Sequence, residues 1–314
     1  MSDIGIIIVT YNSAAVIGAC LDAAMATGAD VVVVDNASAD ATRAEVERRG
    51  VHLIANSWNR GFAAAINQGC AELNCRYFLL LNPDAIVTSS LEPLRTACDR
   101  PQSAGAGGRL LAADGKPQVG FMVRRLPTPA ALILEVLLLN RIWPGNPVNR
   151  NYRCLGLDYS RAQAVEQPAG AFLMIRREVW QQLGGLDEKF WPVWFEDVDF
   201  CRRAVNAGFS FHYEPQAVVK HTGAHSFSAI TLEMRRIYWY RSLLSYCAKH
   251  FRPVGVGAVC AAVVVGSCLR AVLESVLEKS LRPFATYSSV VRLAGRVFFG
   301  HEVGAIPSVL NLKG

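Results

Sequence analysis

Four strand-length apolar runs, Ile4–Val9, Val31–Val34, Val51–Ala55 and Tyr77–Leu81, recur through the N-terminal third of the chain, with one helix-length segment between each pair. The first run is apolar and β-branched at consecutive positions, the pattern of a strand buried on both faces. Between the runs, Ser13–Met25 reads as a helix with Val16, Ala19, Cys20 and Ala23 on one face. Ala39–Arg49 and Gly61–Leu73 read as the next two helices. Parallel strands cannot be joined by a tight hairpin and need a crossover, which these helices supply. The spacing therefore predicts an α/β fold of right-handed βαβ units around a mostly parallel, Rossmann-like sheet.

Polar residues gather just after these strands: Thr10, Tyr11 and Asn12; Asp35, Asn36 and Ser38; Asn56 and Asn59; Asn82 and Asp84. These are the carboxyl ends of the strands, where open α/β sheets bind ligands. Ser38 and Asp40 fit equally well as helix N-caps. A dinucleotide site would need GxGxxG after the first strand. The turn here reads TYNSAAVIG, with no glycine before Gly18, so a backbone cradle for a pyrophosphate is excluded there.

From Leu91 the pattern loosens. Gly105, Gly107 and Gly108 are expected to mark turns, and four prolines bracket the apolar segment ALILEVLLLNRIW. Gln167–Glu178 reads as one strand, and FSFHYEPQAVVKH as a strand pair or a strand turning at Pro215. From Leu232 the chain turns helical and basic. The sequence thus divides at about residues 100 and 228.

Hydrophobic residues at 52% against 18% charged exclude a disordered chain of this length, 314 residues. A net charge of +6 without a basic run excludes a nucleic-acid arm and fits an anionic ligand or membrane surface. Nine scattered cysteines without a CxxC pair argue against zinc and for buried thiols in a reducing cytosol. The N-terminus lacks the basic segment and cleavage site of a signal peptide. Pro253–Leu269 carries no charge over 17 residues, short of the ~20 that a spanning helix needs. It fits a buried core helix, a re-entrant element or an interfacial anchor. Flanking Lys249, Arg252, Arg270, Lys279 and Arg282 favour contact with anionic lipid.

Three segments carry chemistry. LLLNPDA ends a buried strand in Asn82-Pro83-Asp84, either an ordinary turn or a carboxylate aimed at a hard divalent cation. FWPVWFEDVDF packs Glu196, Asp197 and Asp199 among Phe190, Trp191, Trp194, Phe195 and Phe200. Asp199 has Arg202 and Arg203 one helical turn on, which makes it an ion-pair partner. Glu196 and Asp197 lie at a loop-to-helix edge, where aromatic neighbours raise a carboxylate pKa toward a general base's range. Acids there also complement a helix dipole. His221 follows an apolar strand and is either a structural histidine there or, with Asp84, the completion of a metal site.

In their order, TYN, VVDNAS, NRGFAAAINQG, LLLNPDA, PAGAFLMIRRE, GGLDEKFWPVWFEDVDFCRR and VVKHTGAHS resemble the family 2 glycosyltransferases of GT-A fold, most closely the rhamnosyltransferase-like branch, over residues 4–250. The resemblance implies that Thr10, Tyr11, Asn12, Asp35, Asn36, Asn59, Gly61, Phe62, Asn67, Asn82 and Asp84 bind the nucleotide-sugar donor. Asn82 stands where many relatives carry a first Asp. Asp84 and His221 would hold Mg2+ or Mn2+, Asp197 with Glu196 beside it would be the base, and Gly170, Ala171, Trp191 and Trp194 would meet the acceptor. Residues 1–100 become the donor half, 101–228 the acceptor half, and 229–314 a helical, membrane-associated extension. The implied reaction is inverting transfer of L-rhamnose from dTDP-L-rhamnose to a polyprenyl-diphosphate-linked saccharide, in cell-surface polysaccharide synthesis at the inner face of the membrane. A UDP-hexose or UDP-galactofuranose donor, or a catalytically silent carbohydrate-binding scaffold, are the alternatives.

Overall fold

The structure, a computed structural model, describes residues 2–223 and 230–303; the HTGAHS motif beyond Gly223 falls outside the described residues. The N-terminal half runs β1 (Ile4–Thr10), α1 (Ala14–Met25), β2 (Asp30–Asp35), α2 (Thr42–Glu47), β3 (His52–Ala55), α3 (Phe62–Glu72), β4 (Tyr77–Leu81), β5 (Ala85–Val87), α4 (Glu92–Cys98) and β6 (Ser103–Leu111). Then come β7 (Val123–Arg124), α5 (Pro129–Val136), α6 (Leu139–Ile142), α7 (Pro147–Tyr152), β8 (Gln163–Val165), β9 (Gln167–Pro168), β10 (Phe172–Arg176) and α8 (Arg177–Leu183). The chain ends with α9 (Glu196–Asn206), β11 (Ser210–His221), α10 (Leu232–His250), α11 (Pro253–Glu278) and α12 (Arg282–Phe298).

The main sheet has the order β3-β2-β1-β4-β10-β6-β11-β5, with β8 added beside β11. It is parallel from β3 to β4; β10 then enters antiparallel to both β4 and β6. Side chains alternate across β1: Ile6 and Ile8 join the core on the α1 face, while Ile7 and Val9 join the core on the α3 face. Two buried faces explain the unbroken apolar run. The parallel order puts the ends of β1, β2 and β4 on one edge, and that edge carries the site.

Several local expectations change. Gly105, Gly107 and Gly108 lie inside β6 rather than in turns. A Cβ on Gly105 would sit 2.2 Å from the Met174 carbonyl, and one on Gly108 2.4 Å from Phe172, so glycine here permits close approach of β10. The Gln167–Glu178 segment is β9, a loop at 169–171, and β10, with α8 already begun at Arg177. Residues 210–221 form one strand whose register with β6 shifts between Glu214 and Val218, absorbing Pro215 without reversing the chain. Of the nine cysteines, seven are buried, Cys154 is half-buried and Cys268 is exposed.

The chain forms two compact units, Met1–Pro127 with Gly145–Thr231, and Thr128–Pro144 with Leu232–Gly314. Residues 128–144, which sequence order places within the acceptor half, belong to the second unit. In that unit α5 packs on α11, and α11 on α12. Gly266 makes the first contact possible, since a Cβ there would meet the Val136 carbonyl at 2.3 Å.

Candidate active site

Thr10 and Asp35 are register partners at the ends of β1 and β2. Thr10 Oγ1 donates to Asp35 Oδ2 at 3.0 Å, the Ser38 N–H donates to Oδ1 at 3.0 Å, and Arg43 Nε reaches Oδ1 at 2.6 Å. Asp35 is wholly buried, so its carboxylate braces the loops. Asn36 does likewise: its Nδ2 donates to the Gly61 carbonyl and its Oδ1 accepts from Asn56. Asn12 Oδ1 accepts the Ala39 N–H. Tyr11, half-buried, keeps a phenol with no hydrogen-bond partner among the described residues. Of these donor candidates, Tyr11 is the one whose polar atom is uncommitted.

The NRGF segment ties the aromatic loop to α3. Asn59 Oδ1 accepts the Gly61 N–H, and the Phe62 N–H donates to the Pro192 carbonyl at 2.7 Å. Gly61 has φ +87°, and a Cβ there would strike the Trp191 ring at 2.7 Å. Asn67 both donates to the Leu186 carbonyl and accepts its N–H, and donates to Glu188. The loop then turns through Trp194 (φ +77°) and Phe195 (φ +70°), left-handed conformations that cost about 1–3 kcal/mol each and persist where surrounding contacts enforce them. Phe190 and Phe195 are buried; Trp191 and Trp194 are half-buried.

That turn delivers the acids at the start of α9. Asp199 is fully buried and paired with Arg203 at 2.8 Å, and Arg202 donates to the Pro127 carbonyl. Asp197 is half-buried, with Oδ2 accepting the Gly170 N–H at 3.0 Å and Oδ1 accepting the Val198 N–H at 2.8 Å. Burial pushes its carboxyl above the ordinary aspartate value; the two N–H groups and the Arg124 charge pull against that shift. Glu196 is buried, its Oε2 meets no partner, and burial reinforced by Asp197 pushes its pKa well up. Both acids are thus raised, and of the two Asp197 is the half-buried one that an incoming group could reach. A group with a raised folded pKa stabilises fully below the unfolded value, about 4.3, and loses that contribution as pH rises toward the folded value. Glu196→Gln has no such loss. Its Tm relative to wild type should climb between pH 4 and pH 8; a difference constant with pH would show that Glu196 does not titrate high.

Asp84 and His221 meet at the other side of Gly170–Ala171. The Ala171 carbonyl accepts the Asn82 N–H at 3.0 Å, while the neighbouring Gly170 N–H holds Asp197, so one dipeptide touches both the Asn82-Pro83-Asp84 turn and the start of α9. His221 is the last residue of β11, registered on Ala85 of β5, which sets its Nε2 3.5 Å from Asp84 Oδ1. Both residues are buried. Gln118 Nε2 donates to the His221 carbonyl at 2.8 Å, which turns Gln118 Oε1 toward His221 Nδ1 at 3.0 Å. Nδ1 thus carries the hydrogen, and the Nε2 lone pair faces a carboxylate oxygen. Asn82 Nδ2 lies 3.3 Å from the same Nε2, consistent with Nε2 as acceptor. Burial lowers the His221 pKa while Asp84 opposes the shift. No cluster of three His, Cys, Asp or Glu side chains exists among the described residues. Two protein ligands suit a hard divalent ion whose remaining positions go to phosphate oxygens and water, and do not suit a closed structural site.

Three contributors escaped the sequence reading: Gln118, Phe121, whose ring stacks on His221 at 5.5 Å, and Arg124. All lie in PQVGFMVRR, a loop without periodicity, where the one signal was a cluster of polar and aromatic residues between strands.

A mostly parallel sheet carrying a strand-end carboxylate–imidazole pair, with a desolvated aspartate at a helix start, matches the arrangement that the sequence resemblance implies for a sugar-transferring enzyme of GT-A type. The family model for glycosyl transferase family 2 matches residues 5–184, and a model described as the N-terminal domain of galactosyltransferase matches residues 155–225. The chain belongs to glycosyl transferase family 2. It is 31% identical over 214 residues to the N-acetylglucosaminyl-diphospho-decaprenol L-rhamnosyltransferase of Mycobacterium tuberculosis, covering 62% of this chain and 67% of that one. It is 29% identical over 209 residues to the low-salt glycan biosynthesis hexosyltransferase Agl10 of Haloferax volcanii, covering 65% and 62%. Among solved structures it resembles a mannosyltransferase from Pyrobaculum calidifontis in complex with GDP-Man and Mn2+, with TM-score 0.53, 18% identity, and 95% and 87% of the two chains covered.

Proposed function

We propose that this glycosyltransferase moves L-rhamnose from dTDP-L-rhamnose, with inversion, to a saccharide carried on a polyprenyl diphosphate in cell-surface polysaccharide synthesis. One observation supports the mechanism: the Gly170 N–H holds the raised-pKa Asp197 carboxylate, while the adjoining Ala171 carbonyl accepts the N–H of Asn82, two residues before Asp84. Asp197 removes the acceptor hydroxyl's proton as that oxygen attacks the anomeric carbon. Asp84 and His221 would hold Mg2+ or Mn2+, which neutralises the charge developing on the leaving nucleoside diphosphate. Trp191 and Trp194 supply ring faces for the acceptor sugar. In this reading residues 1–100 bind the donor and 101–228 the acceptor, with 128–144 belonging to the membrane-facing unit. The sugar identity draws its support from the Mycobacterium relative. The hexosyltransferase relative keeps UDP-hexoses and UDP-galactofuranose in the test. A panel of nucleotide sugars with Mg2+ or Mn2+ should give transfer with dTDP-L-rhamnose at least tenfold above any UDP-sugar. Preference for a UDP-sugar would overturn the donor, and no turnover with any donor would leave a binding scaffold.

The second unit supports a membrane site. Its α11 spans 26 residues, longer than the uncharged 17 that the sequence reading counted, and is long and apolar enough to cross a bilayer. The helix continues through Arg270 and Glu274 because both turn inward. Arg270 donates to the Glu135 and Val136 carbonyls, and Glu274 pairs with Arg236 at 2.9 Å and accepts from the Tyr287 hydroxyl. The outward face is left apolar from Val254 through Val265, Leu269, Val272 and Val276 to Leu277. A helix with Arg270 and Glu274 turned inward and an apolar stripe outside, packed along its other face by α5 and α12, fits a helix lying in the lipid interface. Exposed Arg252, Lys279 and Arg282 at its ends would sit at anionic headgroups of the cytoplasmic leaflet, each worth about 1 kcal/mol. The double variant Val265→Glu, Val272→Glu should abolish flotation with phosphatidylglycerol vesicles and spare transfer to a short soluble acceptor. Flotation equal to wild type would remove α11 as the anchor.

A further inference from the structure

Arg124, the last residue of β7, and Arg125, the residue after it, have opposite fates. Arg125 pairs with Glu166 at 2.8 Å. Arg124 has no carboxylate partner among the described residues. Its Nε donates to the Gly120 carbonyl at 2.8 Å, and its guanidinium lies over the rings of Phe121 and Tyr152, at 5.8 and 5.9 Å from their centroids. Both Nη groups are left without a hydrogen-bond acceptor among the described residues. A half-buried guanidinium, fixed by two rings and holding unused donors, is arranged for an anion that comes from outside.

The register says where that anion lies. Arg124 stands directly opposite Gln167 in the antiparallel β7–β9 pair, so the two side chains project to the same side. Gln167 Nε2 reaches Asp197 Oδ2 at 3.4 Å. Phe121, under the guanidinium, stacks its ring on His221. Arg124 is thus one side chain from the base and one ring from the metal-pair imidazole.

We propose that Arg124 contacts substrate by receiving two oxygens of a diphosphate beside Asp197. This rests on the sugar-transfer reading and adds a residue to it. A guanidinium matches phosphate oxygens in bidentate fashion, which an ammonium does not. Two diphosphates enter such a reaction: the donor's leaving group and that of a lipid-linked acceptor. Full-length protein should bind inorganic pyrophosphate in metal-free calorimetry. Arg124→Gln should weaken that binding about 10- to 100-fold, the worth of charge-assisted hydrogen bonds, with Arg124→Lys between. The lysine variant, which keeps the charge and the aliphatic stem on the rings, serves if the glutamine variant does not fold. Kinetics then assign the source. A raised KM for a sugar on a lipid diphosphate, but not for the same sugar on a neutral aglycone, assigns the acceptor. A raised KM for the nucleotide sugar with both acceptors assigns the donor. Absence of pyrophosphate binding in the wild type, or equal affinity in wild type and both variants, would overturn the proposal. Arg124-dependent pyrophosphate binding without sugar transfer from any donor would instead remove the transferase reading and leave this one standing.

Discussion

Replacing Asp197 by asparagine is expected to lower sugar transfer about 10²- to 10⁴-fold, the range for loss of a positioned general base, while nucleotide affinity and Tm stay near wild type. The amide is nearly isosteric and its oxygen can still accept the Gly170 or Val198 N–H, so the start of α9 keeps its packing. What disappears is a carboxylate able to take a proton. Burial holds the Asp197 pKa above the ordinary aspartate value, so the wild-type rate should fall on acidification at a pH above the usual carboxylate range. The asparagine variant should lose that acid limb together with the rate. Parallel measurement of transfer and of nucleotide binding by calorimetry separates base from donor ligand. Transfer within threefold of wild type would place the base elsewhere.

Asp84→Ala and His221→Ala should each lower kcat about 10²- to 10³-fold, the effect of deleting one electrostatic stabiliser of a developing anion, and should flatten the metal dependence of nucleotide binding. Both residues are buried and each touches the other, so their effects should be strongly non-additive in the double variant. Gln118→Leu offers a graded control. It removes the acceptor that keeps the hydrogen on His221 Nδ1 and so frees the ring to rotate or change tautomer. Partners of this kind carry about 10- to 100-fold in metal affinity. Metal titrations of nucleotide binding would show the order wild type, Gln118→Leu, then the two alanine variants. Wild-type affinity and metal response in both alanine variants would remove the metal assignment.

Local periodicity made much of this molecule legible from its residues. The βαβ alternation, the polar residues at strand ends, the start of α9 at the acidic cluster and Gly208 as its terminator (φ +87°) all follow from patterns within a dozen positions. The Asp199–Arg203 pair was legible for the same reason, because helix geometry alone brings positions four apart together. Partner choice at longer range was not legible. Asp35 and Asn36 look like ligand-binding residues in the chain but satisfy each other's loops, through Thr10, Arg43, Asn56 and Gly61. Asn67 clamps a loop 119 residues away. Glycines that suggest turns sit within β6, because the crowding that demands them comes from β10.

The sequence by itself determined the fold class, the sheet edge at which polar residues gather, and the carboxylates and histidine carried there, since these follow from residue type and short-range spacing. Tertiary structure alone decided what state those groups are in. It buried Glu196 and raised its pKa beside Asp197, set Gln118 against His221, left the Arg124 Nη groups without an acceptor among the described residues, and turned Arg270 and Glu274 of α11 inward. The physical reason is that a polar side chain's protonation and direction depend on desolvation and on which distant partner reaches it, and neither is encoded in the neighbouring sequence.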